Sequence, residues 1–252
     1  MLEIEKQVAK PGNSLAAISN LIAKDVGLSA SVFKLVNSPF YKRRSPVESI
    51  TKAITVLGLS QLTNIIKGMA LRKALSGQEP AYENFWERSN EIANLSAIIA
   101  GKQISACNIA VDQAYMAGLF HGCGVPVLMQ RFPEYCKAFR LNQGTNWPSF
   151  HEEDQRFNTD HTVVGYLVAK HWNLPDFICQ AIRFHHDNLH IGHATLTLVS
   201  ILQMARHLYA SLHDLPDAEW PEIQEKICEE IGLHLDGLQE FSEEVLDIHR
   251  QN

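Results

Sequence analysis

The stretch Ile54-Thr55-Val56-Leu57-Gly58-Leu59-Ser60-Gln61-Leu62-Thr63-Asn64-Ile65-Ile66-Lys67-Gly68-Met69 decides the fold class. On either side of Gly58 its apolar residues, Ile54 and Leu57, then Leu62, Ile65, Ile66 and Met69, recur three or four positions apart. That spacing puts them on one face of a helix with 3.6 residues per turn. Leu15, Ile18, Leu21 and Ile22 repeat the pattern, and no segment sustains the alternation of a strand. The chain reads as all-α.

Working outward, Ser45-Pro46-Val47-Glu48 and Ser149-Phe150-His151-Glu152 have the form of capping boxes, with Pro46 at a first helical position. Gly27, Gly58, Gly77, Gly144 and Pro175 mark helix ends. Periodicity lapses at Ser76-Gly77-Gln78-Glu79-Pro80, before Phe85-Trp86 opens a long helix towards Ile104. This predicts two helical lobes, residues 1–79 and 80–252. Trp220, Ile223, Ile227 and Ile231, then Leu235, Leu238, Phe241 and Val245, predict a terminal helical pair packed back on the second lobe. No internal repeat or low-complexity segment interrupts the chain.

Composition narrows the function. In 252 residues, 46% are hydrophobic and 20% charged, which suits a globular core and excludes disorder. A net charge of -6 argues against nucleic acid or an anionic membrane as partner. Lys42-Arg43-Arg44 reads as a solvated loop. Cys107, Cys123, Cys136, Cys179 and Cys228 form no Cys-x-x-Cys pair and read as reduced, buried thiols. No apolar run reaches the roughly 18 residues that span a bilayer. The charged start lacks a signal peptide's apolar region, so the expected location is the cytoplasm.

In the first lobe, Ile22-Ala23-Lys24-Asp25-Val26-Gly27-Leu28-Ser29-Ala30, Leu35-Val36-Asn37-Ser38-Pro39-Phe40-Tyr41 and Ser49-Ile50-Thr51-Lys52-Ala53-Ile54 stand in order. In the second come Phe85-Trp86-Glu87-Arg88-Ser89, Gly118-Leu119-Phe120-His121, His161-Thr162-Val163-Val164-Gly165, Trp172-Asn173-Leu174-Pro175 and Ala181-Ile182-Arg183-Phe184-His185-His186. Over roughly residues 1 to 250 the chain resembles the HDOD family, the HD-related output domain of bacterial signalling proteins. The family carries a leucine-proline segment before its first helix, whereas this chain begins within that helix. The resemblance implies an HD-like helical bundle in the second lobe and a role in signal transduction.

Enzymes of the wider HD superfamily bind metal through a histidine, a consecutive His-Asp pair and a final aspartate. By that resemblance these positions fall on Arg88, His121 with Gly122, and Arg206, so only His121 is retained. A two-metal site needs bridging carboxylates, and a guanidinium repels a divalent ion. Further histidines of such sites align with His161, His185 and His186. Four imidazoles would suit zinc, nickel or copper, with Asp160 or Asp187 as carboxylates of a rearranged site. The alternative is that packing and hydrogen bonds retain the histidines.

Three functions follow. The first is a non-catalytic output module without cofactor, binding a signalling protein or a small anionic ligand. The second is a metal-dependent phosphohydrolase using the residual histidines and a divalent transition metal. The third is an anion or nucleotide sensor, with Arg88 and Arg206 as clamps in a pocket between the lobes. Other patterns carry less. There is no Gly-x-Ser-x-Gly elbow, and Gly122 and Gly124 suit close helix packing better than a phosphate loop. His190, His193, His207 and His213 read as surface or capping residues. Asn37-Ser38-Pro39-Phe40-Tyr41 reads as a turn locking two helices, with a recognition surface as its alternative. Trp86 and Trp172 read as core anchors, and Trp147 as exposed.

Overall fold

The computed structural model describes residues 15–24, 26–37, 46–186 and 192–251, and among them every regular element is helical. Residues 1–10, Ser38 to Arg44, Asp187 and His190 lie outside the described residues. Two compact units form, Met1–Ala74 and Leu75–Gln251.

In the first unit the helices are α1 (Leu15–Ala23), α2 (Val26–Val36), α3 (Ile50–Leu57) and α4 (Leu59–Ala74). Ile18, Ile22, Val32, Val36, Ile54, Leu57, Leu62 and Ile66 are buried, so the periodic face is the core face. Gly58 joins α3 to α4 at φ +80°, a left-handed turn that a side chain would strain. The start of α3 differs from the expected capping box. Ser49 is the cap, accepting from the Lys52 amide at 3.2 Å, and Pro46 precedes the helix. Asn37 explains the shift. Its side-chain amide donates to Val47 O at 3.0 Å and accepts from Val47 N–H at 2.6 Å, holding the segment ahead of the helix.

The second unit opens on α5 (Pro80–Lys102), followed by α6 (Ile104–Cys107), α7 (Val111–Phe120), α8 (Gly124–Arg131) and α9 (Tyr135–Ala138). Then come α10 (Phe150–Phe157), α11 (His161–His171), α12 (Asp176–Phe184), α13 (His193–Leu212), α14 (Trp220–Glu230) and α15 (Leu238–Arg250). Helix α5 packs along α7 and α13, and α11 lies against α8 and α12. The terminal helices pack back, α14 on α13 and α15 on α5, burying Trp220, Ile227, Phe241 and Val245. All five cysteines are buried and unpaired. Ser149 precedes α10 but makes no capping bond, so the second expected capping box does not form.

Two glycines set the helix crossings around the later site. A Cβ on Gly118 would lie 2.6 Å from Ala93 Cα, and one on Gly124 would lie 2.2 Å from His161 O. Backbone meets backbone at both places. Gly118→Ala is therefore expected to lower stability by roughly 1–3 kcal/mol through overpacking. Gly101→Ala, whose Cβ would meet only Val111 Cγ2 at 3.5 Å, is expected to be neutral or stabilising by up to about 1 kcal/mol. Chemical denaturation of both variants checks the pair; equal destabilisation would contradict it.

Candidate functional site

Four histidines meet where helix ends converge. His121 caps the C-terminus of α7, His161 opens α11, and His185 and His186 follow the last turn of α12. The ring centroids of His185 lie 5.3 Å from His121, 5.3 Å from His161 and 4.3 Å from His186. His121, His161 and His185 are buried.

The partners of these rings fix their tautomers. A carbonyl or carboxylate oxygen can only accept, so His121 Nδ1–H donates to Gly118 O at 2.7 Å and His185 Nδ1–H to Ile182 O at 2.7 Å. His161 Nδ1–H donates to Glu153 Oε2 at 2.5 Å. His121 and His185 are each left with a lone pair on Nε2, and the Nε2 atoms of His161 and His185 face each other at 3.3 Å. Burial, reinforced by Arg206, lowers His121 to about 3. Burial, together with the neighbouring histidines and Arg206, also holds His185 and His186 well below the ordinary imidazole value.

Glu153 is the residue that sequence reasoning missed. It is fully buried and accepts from the Tyr135 hydroxyl, the His161 backbone N–H at 2.9 Å and the His161 ring. No motif marks it, because it sits one residue past the glutamate of an apparent capping box. Asp160, offered as a ligand by the sequence, is instead the cap of α11. Partial burial works to raise its carboxyl, but hydrogen bonds from the Thr162 hydroxyl and from the Val163 and Thr162 amides bring it below the ordinary value.

The arginines stand beside the histidines. Arg206 Nη1 donates to His185 O at 3.3 Å and to His186 Nδ1 at 3.4 Å. The Arg88 guanidinium lies over Trp147 at 4.3 Å and Tyr209 at 4.9 Å. Burial, with Arg206 adding to it, lowers Arg88 to about 10, so it is still a cation at neutral pH. Trp147 corrects the sequence reading. It is half-buried, stacked 5.6 Å from Phe85 and 6.1 Å from His121. A Cβ on Gly122 would meet its ring at 2.9 Å. Trp147 thus fills the space that a carboxylate at position 122 would need. Among the scattered histidines, His193, His207 and His213 pair instead with Glu230, Asp217 and Glu91.

A carboxylate-bridged pair of ions does not fit this arrangement. Among the described residues, the potential ligands lying within 4.8 Å of one another are His161, His185 and His186, with no carboxylate in the group. Glu219 approaches His186 only to 3.8 Å from a half-exposed position.

The described residues form an all-helical bundle with histidines at the meeting of its helix ends and two arginines beside them. The HDOD domain family matches residues 1–188, and the chain belongs to that family. An HDOD domain protein of unknown function from Geobacter sulfurreducens is 25% identical, covering 99% of this chain and 89% of that one, at a TM-score of 0.67. A candidate metal-dependent phosphohydrolase from Shewanella amazonensis is 18% identical over 98% of this chain and 89% of that one, at a TM-score of 0.70. A candidate signal transduction protein from Marinobacter aquaeolei is 22% identical over 98% of this chain and 56% of that one, at a TM-score of 0.71. At these last two identities the fold is what is shared. An uncharacterized protein of Treponema pallidum is 25% identical over 206 residues, 81% of this chain; the chain spans 40% of that relative's length. No helix among the described residues is long and apolar enough to cross a membrane.

The lowered imidazoles make stability depend on pH. Their folded values lie below the unfolded value of about 6.5, so the unfolded chain binds more protons on acidification. The stability they contribute is fully present above about pH 6.5 and is lost as pH falls below it, for His121 down to about 3. Denaturation midpoints are expected to hold from pH 8 to 7 and to fall below pH 6.5. In His121→Gln the slope should be shallower by roughly 1.4 kcal/mol per pH unit, one proton's worth. Stability independent of pH down to pH 4 would contradict the buried, neutral histidines.

Proposed function

We propose that this chain is a bacterial, cytoplasmic signal-transduction output module, its two lobes acting as one HDOD domain, and that it hydrolyses no phosphoester. It acts by binding a signalling protein or a small anionic ligand. The observation that carries the reading is the Arg206 guanidinium, which donates to His185 O and His186 Nδ1 within the histidine cluster. A two-ion hydrolytic centre needs carboxylates to neutralise charge and position its nucleophile. Here the cluster holds imidazoles and a fixed cation, with Glu153 turned to the far side of His161. The name of the Marinobacter structure supports the signalling role, and the net charge of -6 supports a partner other than nucleic acid.

A second reading is favoured by one distance. The facing Nε2 atoms of His161 and His185 are 3.3 Å apart, and tetrahedral bonds of ~2.0–2.1 Å would space two nitrogens by about that much. In this reading the imidazoles hold a single zinc-like ion, with Glu153 orienting His161 from behind. The name of the Shewanella structure supports it.

Turnover separates a module from an enzyme. Bis(p-nitrophenyl) phosphate and nucleoside phosphates, assayed with magnesium, manganese, zinc, nickel or cobalt in turn, are expected to hydrolyse no faster than metal-only blanks. Saturable hydrolysis that disappears in His185→Ala would overturn the non-catalytic reading.

A further inference from the structure

We propose that two copies of this chain pair through the outer face of α11, antiparallel about a two-fold axis. The pairing goes beyond the functional reading above, and neither depends on the other.

Helix α11 is apolar on both sides. Its inner side, with Gly165 and Ala169, is buried where the helix lies against α8 and α12. A helix at a protein surface ordinarily turns polar residues outward. Here the centre of the outer side is Leu167, which is 60% exposed, more than Leu15, Ile104 or Leu235. Val163 and Val164 stand one turn before it on the same side and are half-buried. Surface leucines scattered singly are ordinary, but this one continues an apolar strip.

Charge at the two ends of the strip names the occupant. Asp160 stands one turn before the valines, and Lys170 and His171 stand one turn after Leu167, all on the outer side by helical spacing. A face that is acidic at its start, apolar in the middle and basic at its end is complementary to its own reverse. One register serves both kinds of contact. With Leu167 opposite Val163 of the second copy, Lys170 falls opposite Asp160 of the second copy, and each contact occurs twice, as a two-fold axis requires. A partner of a single charge sign would satisfy one end of the strip and oppose the other.

Both charged ends can take part. Asp160 uses Oδ1 for the Thr162 hydroxyl and for the Thr162 and Val163 amides, and its Oδ2 makes no hydrogen bond among the described residues. Lys170 donates to Asp176 at 3.0 Å, but the two side chains are 49% and 67% exposed. An ion pair so exposed is worth little and exchanges readily. Antiparallel helices also set opposite dipole ends side by side. One helix of 11 residues from each copy makes a small contact, so the dimer is weak and reversible.

Sedimentation velocity of the full chain, from about 1 µM to about 500 µM, tests the pairing. A monomer–dimer equilibrium with a Kd in the micromolar range is expected. Leu167→Glu is expected to weaken it at least about 10-fold, the worth of an apolar side chain lost from each copy. Ile104→Glu, at a side chain 47% exposed elsewhere on the second unit, is expected to leave it unchanged. Asp160→Asn, which keeps a capping oxygen, and Lys170→Gln are each expected to weaken it about 2- to 10-fold and to flatten its dependence on salt. Circular dichroism checks the fold of each variant; should Leu167→Glu not fold, the two neutralised variants carry the test. A chain that stays monomeric throughout overturns the proposal and leaves the strip to a different protein. Dimers undiminished in Leu167→Glu, or in both neutralised variants, overturn it as well, because they would use another face.

Discussion

Arg206 brings a guanidinium into contact with the histidine cluster, and the chemistry of the bundle's centre follows from it. The side chain donates to the backbone of His185 and to the ring of His186, so one fixed charge ties the end of α12 to α13. Its field adds to burial in keeping His121, His185 and His186 uncharged. Neutral imidazoles can pack ring against ring, whereas protonated ones at these distances would repel. Its own charge is balanced at longer range by Glu219 and Asp217.

The acidic groups nearest the cluster have been given other work. Glu153 sits behind His161, bonded also to Tyr135, and so orients a ring. Asp160 caps α11. Trp147 occupies the space beside Gly122, stacked on the aromatic ring of Phe85 and in contact with the cation of Arg88. These placements support one another. A carboxylate at position 122 would have to displace Trp147, and displacing Trp147 would uncover Arg88.

Much of the fold was legible because burial repeats with the helix period. Ile54, Leu57, Leu62 and Ile66 announced their face, and the family motifs placed the histidines in order along the chain. The start of α3 was misread because Asn37 pins Val47 from ten residues away, a contact that no local capping rule contains. Trp147 was misread for a similar reason. Its polar neighbours suggest exposure, and only the fold brings Phe85, Arg88 and His121 to its ring. Glu153 was invisible because a buried carboxylate on a polar helix leaves no periodic trace; α10 buries little else.

The central claim is that a protein cation, rather than bound metal, governs the histidine cluster. Elemental analysis of tag-free protein purified without chelator tests it most directly. The account predicts well under one equivalent of any transition metal per chain. One or two tightly held equivalents, lost in His161→Ala, would contradict it and assign the facing imidazoles to an ion.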